Sequence, residues 1–401
     1  MRKVRGTASS RVTGSHDAEV TRWAGARLRY VDNLKVILIA AIIIGHAVSG
    51  YGELDWWAYA DQRETTLSPI TQAIVLAVGG PFAMLLIPVL FLVAGLMTPP
   101  SLARKHPGPY VRDRLLRLGV VFAVYVLVLL PLTMYVLEYW IGTDTGSYWS
   151  SYFGAEKTLD TGTLWFVGDL LLFTLAYTAW TVVRRHVATR STVHEITARQ
   201  LALVTVIVAV TTFLVRLVFP FNSENRYLDL NLYQWPACIA IFAVGIVASR
   251  ADWLTAVPDR LRRVSGVVTL VALAAFGGFV LVGVSQSGIG EEAWAGSWDW
   301  SAVMFPVIES PLVVFGPIWL LGLAQRRLAR PVPWIRPAVI RACFGAFVLQ
   351  QFVLVMLAIA LRPVPLPAEL KALAVATGGV ILCFGLAWLL ITRIPGLSRV
   401  L

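Results

Sequence analysis

The sequence predicts an all-α polytopic membrane protein with ten transmembrane helices and both termini in the cytoplasm. Three observations lead there. Of the 401 residues, 57% are hydrophobic and 14% charged, with a mean hydropathy of +0.71, far from the balance of a soluble domain. The chain contains ten apolar runs near the ~20 residues that a helix needs to cross a bilayer. The charged residues between those runs alternate in sign from loop to loop.

The runs fall at 34–51, 74–97, 118–137, 163–183, 201–219, 232–248, 264–284, 301–323, 338–361 and 372–391. Prolines interrupt several, such as Pro81 and Pro88 in the second and Pro306, Pro311 and Pro317 in the eighth. Bundled membrane helices tolerate them because neighbours re-satisfy the freed backbone groups. With the N-terminus and every second loop in the cytoplasm, 28 of the 34 Lys and Arg residues fall on that side. Acidic residues do the reverse: Glu53, Asp55, Asp61, Glu64, Glu138, Asp144, Glu156, Asp160, Glu291, Glu292 and Asp299 lie in the outer loops. A missed or extra helix would exchange the sides midway, so the charges support the count of ten. Residues 1–31 read as a flexible cytoplasmic tail, 32–393 as one transmembrane domain and 394–401 as a short cytoplasmic tail. A cleaved signal peptide is not expected, since the first apolar run starts late and its exit lacks a small-residue cleavage site. Trp56, Trp57, Tyr148, Trp149, Trp294, Trp298 and Trp300 sit near span ends and outer loops, as an interfacial belt does.

The net charge of +11 needs no nucleic acid, because orientation signals and attraction to anionic lipid produce it. Cys238, Cys343 and Cys383 fall inside spans without a CxxC pair, so neither a disulfide framework nor a metal site is expected. No internal repeat is evident, which weighs against a transporter built from duplicated halves.

Function is expected from polar groups inside the spans, where each is costly. They are His46, Asp169, Arg216, Glu309, Gln350 and Gln351. Counted along their helices at ~1.5 Å per residue, the four ionisable groups lie about 5 to 12 Å below the outer surface, which suggests one shared chamber. A neutral histidine there can take a proton from a hydroxyl attacking a carbonyl. A carboxylate at its other ring nitrogen, Asp169 or Glu309, would fix the tautomer. The plainer alternatives are a packing role for His46 and a helix-to-helix bond or an ion pair with Arg216 for the two acids.

Five stretches carry a family resemblance. "RLRYVDNLKVILIAAIIIGHA" places a basic residue, Lys35, ten intervening positions before His46. It is followed by "FLVAGLM" at 91–97, "RLLR" with Arg114 and Arg117, "LWFVGDLLLF" at 164–173 and "RACFGAFVLQQFVLV" at 341–355. In this order they resemble the membrane-bound acyltransferase 3 family. Two positions depart from the family's usual pattern: Lys35 stands where arginine is common, and Gln350 stands where many members carry a late histidine. Lysine keeps the charge and loses the planar fork; an amide keeps hydrogen bonding and loses proton transfer.

The resemblance implies transfer of an acyl group, commonly acetyl, from cytoplasmic acyl-CoA to a hydroxyl, often on a glycan, glycolipid or glycosylated metabolite. His46 would be general base, with transient acylation of the ring as the lesser option. Asp169 or Glu309 would orient it, and Asp32 would position the inner end of the helix. Lys35, Arg114 and Arg117 would meet the CoA phosphates, unless they are ordinary inner-face charges. Arg216, Trp165, Gln350 and Gln351 are assigned to substrate binding. Lys35 lies some 16 Å along the helix from His46 at ~1.5 Å per residue, comparable to a pantetheine arm. The rival classes are a proton-coupled transporter or lipid-linked sugar flippase using the same ionisable groups as a relay, and a regulatory membrane protein that has lost activity.

Overall fold

The computed structural model describes residues 28–52, 57–142, 160–184, 195–220, 229–285 and 296–399. The sequence expectations for residues 1–27, Glu53, Asp55, Trp56, Asp144, Tyr148, Trp149, Glu156, Glu291, Glu292, Trp294 and residues 400–401 lie outside them.

Ten helices long and apolar enough to cross a membrane are present among the described residues, matching the ten runs one for one. They are α1 Arg29–Ser49, α2 Pro69–Lys105, α3 Pro107–Ile141, α4 Gly162–Arg184 and α5 Ala198–Arg216. The rest are α6 Leu232–Ala251, α7 Asp259–Val282, α8 Trp300–Arg327, α9 Pro337–Leu361 and α10 Ala368–Arg393. No strand occurs among the described residues. α1 begins at Arg29, slightly before the domain boundary expected at residue 32.

The second and third helices start well before their apolar runs. Ser68 caps α2, its hydroxyl accepting from Thr71 N, and Pro69 takes the first turn, where a missing N–H costs nothing. Pro107 opens α3 in the same way. Inside both, a π-helical segment precedes a proline: Val75–Gly79 before Pro81, and Tyr125–Leu129 before Pro131. The proline ring would meet the carbonyls of Ala77 and Leu127, and the wider turn moves those carbonyls aside. A third π segment, Leu115–Gly119, contains Arg117.

α2 and α6 cross with their backbones touching. A Cβ on Gly95 would lie 2.3 Å from Phe242 O, and one on Gly245 would lie 2.5 Å from Leu92 O. The glycine of "FLVAGLM" is therefore a helix-crossing residue, the use that membrane interfaces make of small side chains. α9 packs along α10 and α7 along α8, while α1 is wedged among α2, α8, α9 and α10. The helix that carries His46 is thus held on several sides. Its far end is pinned by Tyr30 Oη donating to Leu254 O at 2.6 Å and by Asn33 Nδ2 donating to Leu328 O at 2.9 Å. These bonds gather the Lys35 end of α1, the α6–α7 link and the α8–α9 link on one basic face. Outward side chains such as Leu203, Val206 and Val210 of α5 and Val267, Leu270 and Val271 of α7 are exposed and apolar, a surface that fits lipid.

Candidate active site

His46 lies in the last turn of α1, at the opposite end of the helix from Lys35, and is half-buried. Its Nδ1 is 3.1 Å from Gln350 Oε1 on α9. An amide oxygen only accepts, so this bond assigns the ring proton to Nδ1 and leaves Nε2 with a lone pair. One face of the imidazole is covered by Trp57, ring centres 4.6 Å apart and planes 8° from parallel.

Gln350 and Gln351 are adjacent on a helix, so their side chains diverge by about 100° and serve different partners. Gln351 Oε1 accepts from Tyr125 Oη of α3 at 2.5 Å and from Thr163 N of α4 at 3.3 Å. Gly162 makes this approach possible. It has φ +47, and a Cβ there would lie 2.6 Å from both Gln351 Oε1 and Tyr125 Oη. Gln350 is fully buried, and its Nε2 has no hydrogen-bond partner among the described residues.

The single chamber expected from the sequence resolves into two groups. Neither Asp169 nor Glu309 is bonded to His46, and the carboxylate expected at the ring is replaced by the Gln350 amide. Glu309 of α8 is instead paired with Arg216 of α5, Nη2 to Oε2 2.8 Å and Nη2 to Oε1 3.1 Å. That is the ion pair the sequence left open as the plainer alternative. The Arg216 guanidinium also sits 5.0 Å from the Phe305 ring centre. Asp169 of α4 is fully buried, and neither carboxylate oxygen meets a donor at hydrogen-bonding geometry among the described residues. Its polar neighbours are the Trp235 indole, which donates to Leu230 O at 3.1 Å, and the Cys238 thiol, which faces Glu309 as well. Trp165 is half-buried in the main apolar cluster.

At the basic face, Lys35 and Asp32 both lie within electrostatic reach of Cys343 on α9. Arg114 and Arg117 differ sharply. Arg117 is exposed and paired with Asp113 at 3.3 Å, and Asp113 also holds Lys105 at 2.9 Å. Arg114 is half-buried over the Tyr110 ring at 5.0 Å, and its Nε lacks a partner among the described residues. Arg250 bonds the Tyr177 hydroxyl beside the same Tyr110. This tyrosine-lined basic recess, with a buried donor to spare, suits a phosphate better than Arg117 does.

Several residues at these sites escaped the sequence reading. Trp57 is read there as part of the interfacial belt, but it is 8% exposed against 79% for Trp298 and 55% for Trp300, and so is corrected to an inward residue. Tyr125 and Thr163 carry no unusual sequence signal. Lys371, 2% exposed and paired with Glu64, was visible only as a cation one residue outside the tenth apolar run.

No group of three or more His, Cys, Asp or Glu side chains able to hold a metal occurs among the described residues. No curated protein and no solved structure matches the chain significantly. A family profile described as an acyltransferase domain matches residues 28–392, nearly the whole chain. The matched span takes in the α1 motif, the two arginines of α3, the start of α4 and the paired glutamines of α9, and by it the chain belongs to the acyltransferase 3 family, a multi-pass membrane acyltransferase.

Proposed function

We propose that the protein transfers an acyl group, commonly acetyl, from acyl-CoA presented at the basic, cytoplasmic face to a hydroxyl of a sugar-containing acceptor, with His46 as general base. The observation that carries this reading is the His46–Gln350 bond at 3.1 Å, which leaves Nε2 unprotonated. In the reaction, Nε2 takes the acceptor's hydroxyl proton as the oxygen attacks the thioester carbonyl. The tetrahedral intermediate collapses with rupture of the C–S bond, and the departing thiolate recovers the proton from the imidazolium. Gln350 fixes the tautomer and steadies the cation, the part that a carboxylate plays in hydrolase triads. An amide does this more weakly, because it brings no charge.

Lys35, Arg114 and Arg250 are the groups for the CoA phosphates, with Asp32 positioning the Lys35 turn. Asp169 is a candidate contact for the donor's polar arm, and Arg216 and Trp165 remain candidates for the acceptor side. Glu309 serves through Arg216. The test is a radiolabelled acetyl-CoA assay on membranes containing the full chain. His46→Ala should abolish label transfer while protein level and thermal melting stay near wild type. Normal turnover by that variant refutes the base role, and solute movement without thioester consumption favours a transporter.

A further inference from the structure

The segment from Trp57 to Ser68 leads into α2 and begins with Trp57 stacked on His46. An interfacial tryptophan spreads its ring among headgroups, but Trp57 folds inward onto the imidazole. It fits there because Gly50 has no side chain: a Cβ on Gly50 would come within 3.1 Å of the indole.

What holds the segment down is a partly buried polar network. Lys371 Nζ of α10 donates to Glu64 Oε1 at 2.5 Å, and Tyr59 Oη donates to Glu64 Oε2 at 2.5 Å. Arg362 Nη1 donates to Gln62 O at 2.6 Å, and Leu67 N donates to Tyr51 O at 2.9 Å. Burial works against the Glu64 carboxylate, but the bonds from Lys371 and Tyr59 outweigh it and hold the group below its ordinary acidity range, so it is ionised. A partly buried ion pair adds little net stability, but its geometry fixes the register of the chain that carries it. Here the register it fixes is that of a loop, with Trp57 at its end.

We infer that this strap, pinned by Glu64 and Lys371, keeps Trp57 over His46 as a shield and so determines how the acyl group divides between the acceptor hydroxyl and water. The inference rests on His46 being the base. A base that activates an alcohol activates water equally well: water adds to the thioester carbonyl, His46 takes its proton, the C–S bond breaks and the thiolate is protonated. The products are the free acid and CoA. The indole stacked on the ring keeps water from one side of the in-plane Nε2 lone pair and so narrows its approach. Trp57, Glu64 and Lys371 are positioning residues.

The experiment uses the full chain in membranes with acetyl-CoA as the probe. Free CoA is read with a thiol reagent and label incorporation into membrane glycans is counted, and their ratio is the readout. Trp57→Ala and Lys371→Met should each raise CoA released per label incorporated roughly tenfold, the size of effect that ~1.4 kcal/mol in barrier height gives. Trp57→Phe should stay near wild type, and Trp298→Ala, which removes an exposed tryptophan, should change nothing. If Lys371→Met does not fold, Glu64→Gln with Lys371→Met removes both charges together and takes its place. An unchanged ratio in the strap variants, or release and incorporation falling in parallel, overturns the inference. His46→Ala separates the two readings: full activity in that variant removes the base, whereas an inactive His46→Ala beside a wild-type ratio in Trp57→Ala removes the strap alone.

Discussion

Glu309 is held by Arg216, 2.8 Å from Nη2 to Oε2, with Arg216 3% exposed, and the pair ties α5 to α8. α5 is otherwise a peripheral helix whose surface is largely exposed and apolar. Removing one partner of a buried ion pair leaves the other charge uncompensated, at a cost of about 3–5 kcal/mol. Glu309→Gln should therefore lower thermal stability markedly in detergent. The double variant Arg216→Leu with Glu309→Leu should recover most of the loss, since it removes both charges. Additive losses in the double variant would mean that the two residues are not coupled.

Gln350 offers a sharper test of the chemistry. Gln350→Leu fills the same space and removes the Nδ1 acceptor, so the imidazole loses its assigned tautomer. The expected result is a fall in kcat on the order of 10²-fold with little change in KM, the scale of a misplaced general base. Gln350→His, which restores an acceptor nitrogen, should retain much more activity than Gln350→Leu. Steady-state kinetics on both variants decide the matter, and a wild-type kcat in Gln350→Leu would detach the amide from catalysis.

The ten spans were legible because bilayer thickness sets both their length and their composition. Their starts were less so: α2 and α3 begin with proline-led polar turns that apolar periodicity does not register. At the site, the sequence singled out His46 and the paired glutamines, but not that Gln350 meets the ring, because 304 positions separate the two. The sequence gives position along a helix, but not azimuth. Equal depth placed His46, Asp169 and Glu309 in one layer, whereas packing turned them toward different neighbours. Trp57 was misread and Lys371 passed over for one reason. Both lie at span ends, where aromatic and cationic residues ordinarily face headgroups, and only tertiary contacts draw them inward.

The two arginines of α3 should not be equivalent. Arg117 already spends its charge on Asp113, while Arg114 keeps a buried Nε without a partner among the described residues. Arg114→Gln should raise the KM for acetyl-CoA about tenfold, roughly the ~1.4 kcal/mol of one charge-assisted bond. Arg117→Gln should change it by less than about threefold, since an exposed pair contributes little. Titrations of acetyl-CoA against both single variants would show it, and the reverse order of effects would move the phosphate site to Arg117.

Asp169 presents a conflict between stability and use. A fully buried carboxyl with both oxygens lacking a donor at good geometry costs folding free energy, ~1–3 kcal/mol for an unsatisfied polar group and more if it is charged. Phe166 and Phe173 lie about one turn to either side of it on α4 and the Trp235 indole is its neighbour, an apolar setting in which leucine replaces the carboxyl. Asp169→Leu should therefore raise the melting temperature. If the carboxyl waits for a polar group of the donor, the same variant should lose acyl transfer through a higher KM for acetyl-CoA, with release and incorporation falling together. A stabilised variant with unaltered kinetics would show that the acid has no part in the reaction. A destabilised one would show that it has a structural partner, so measuring melting and KM together distinguishes all three outcomes.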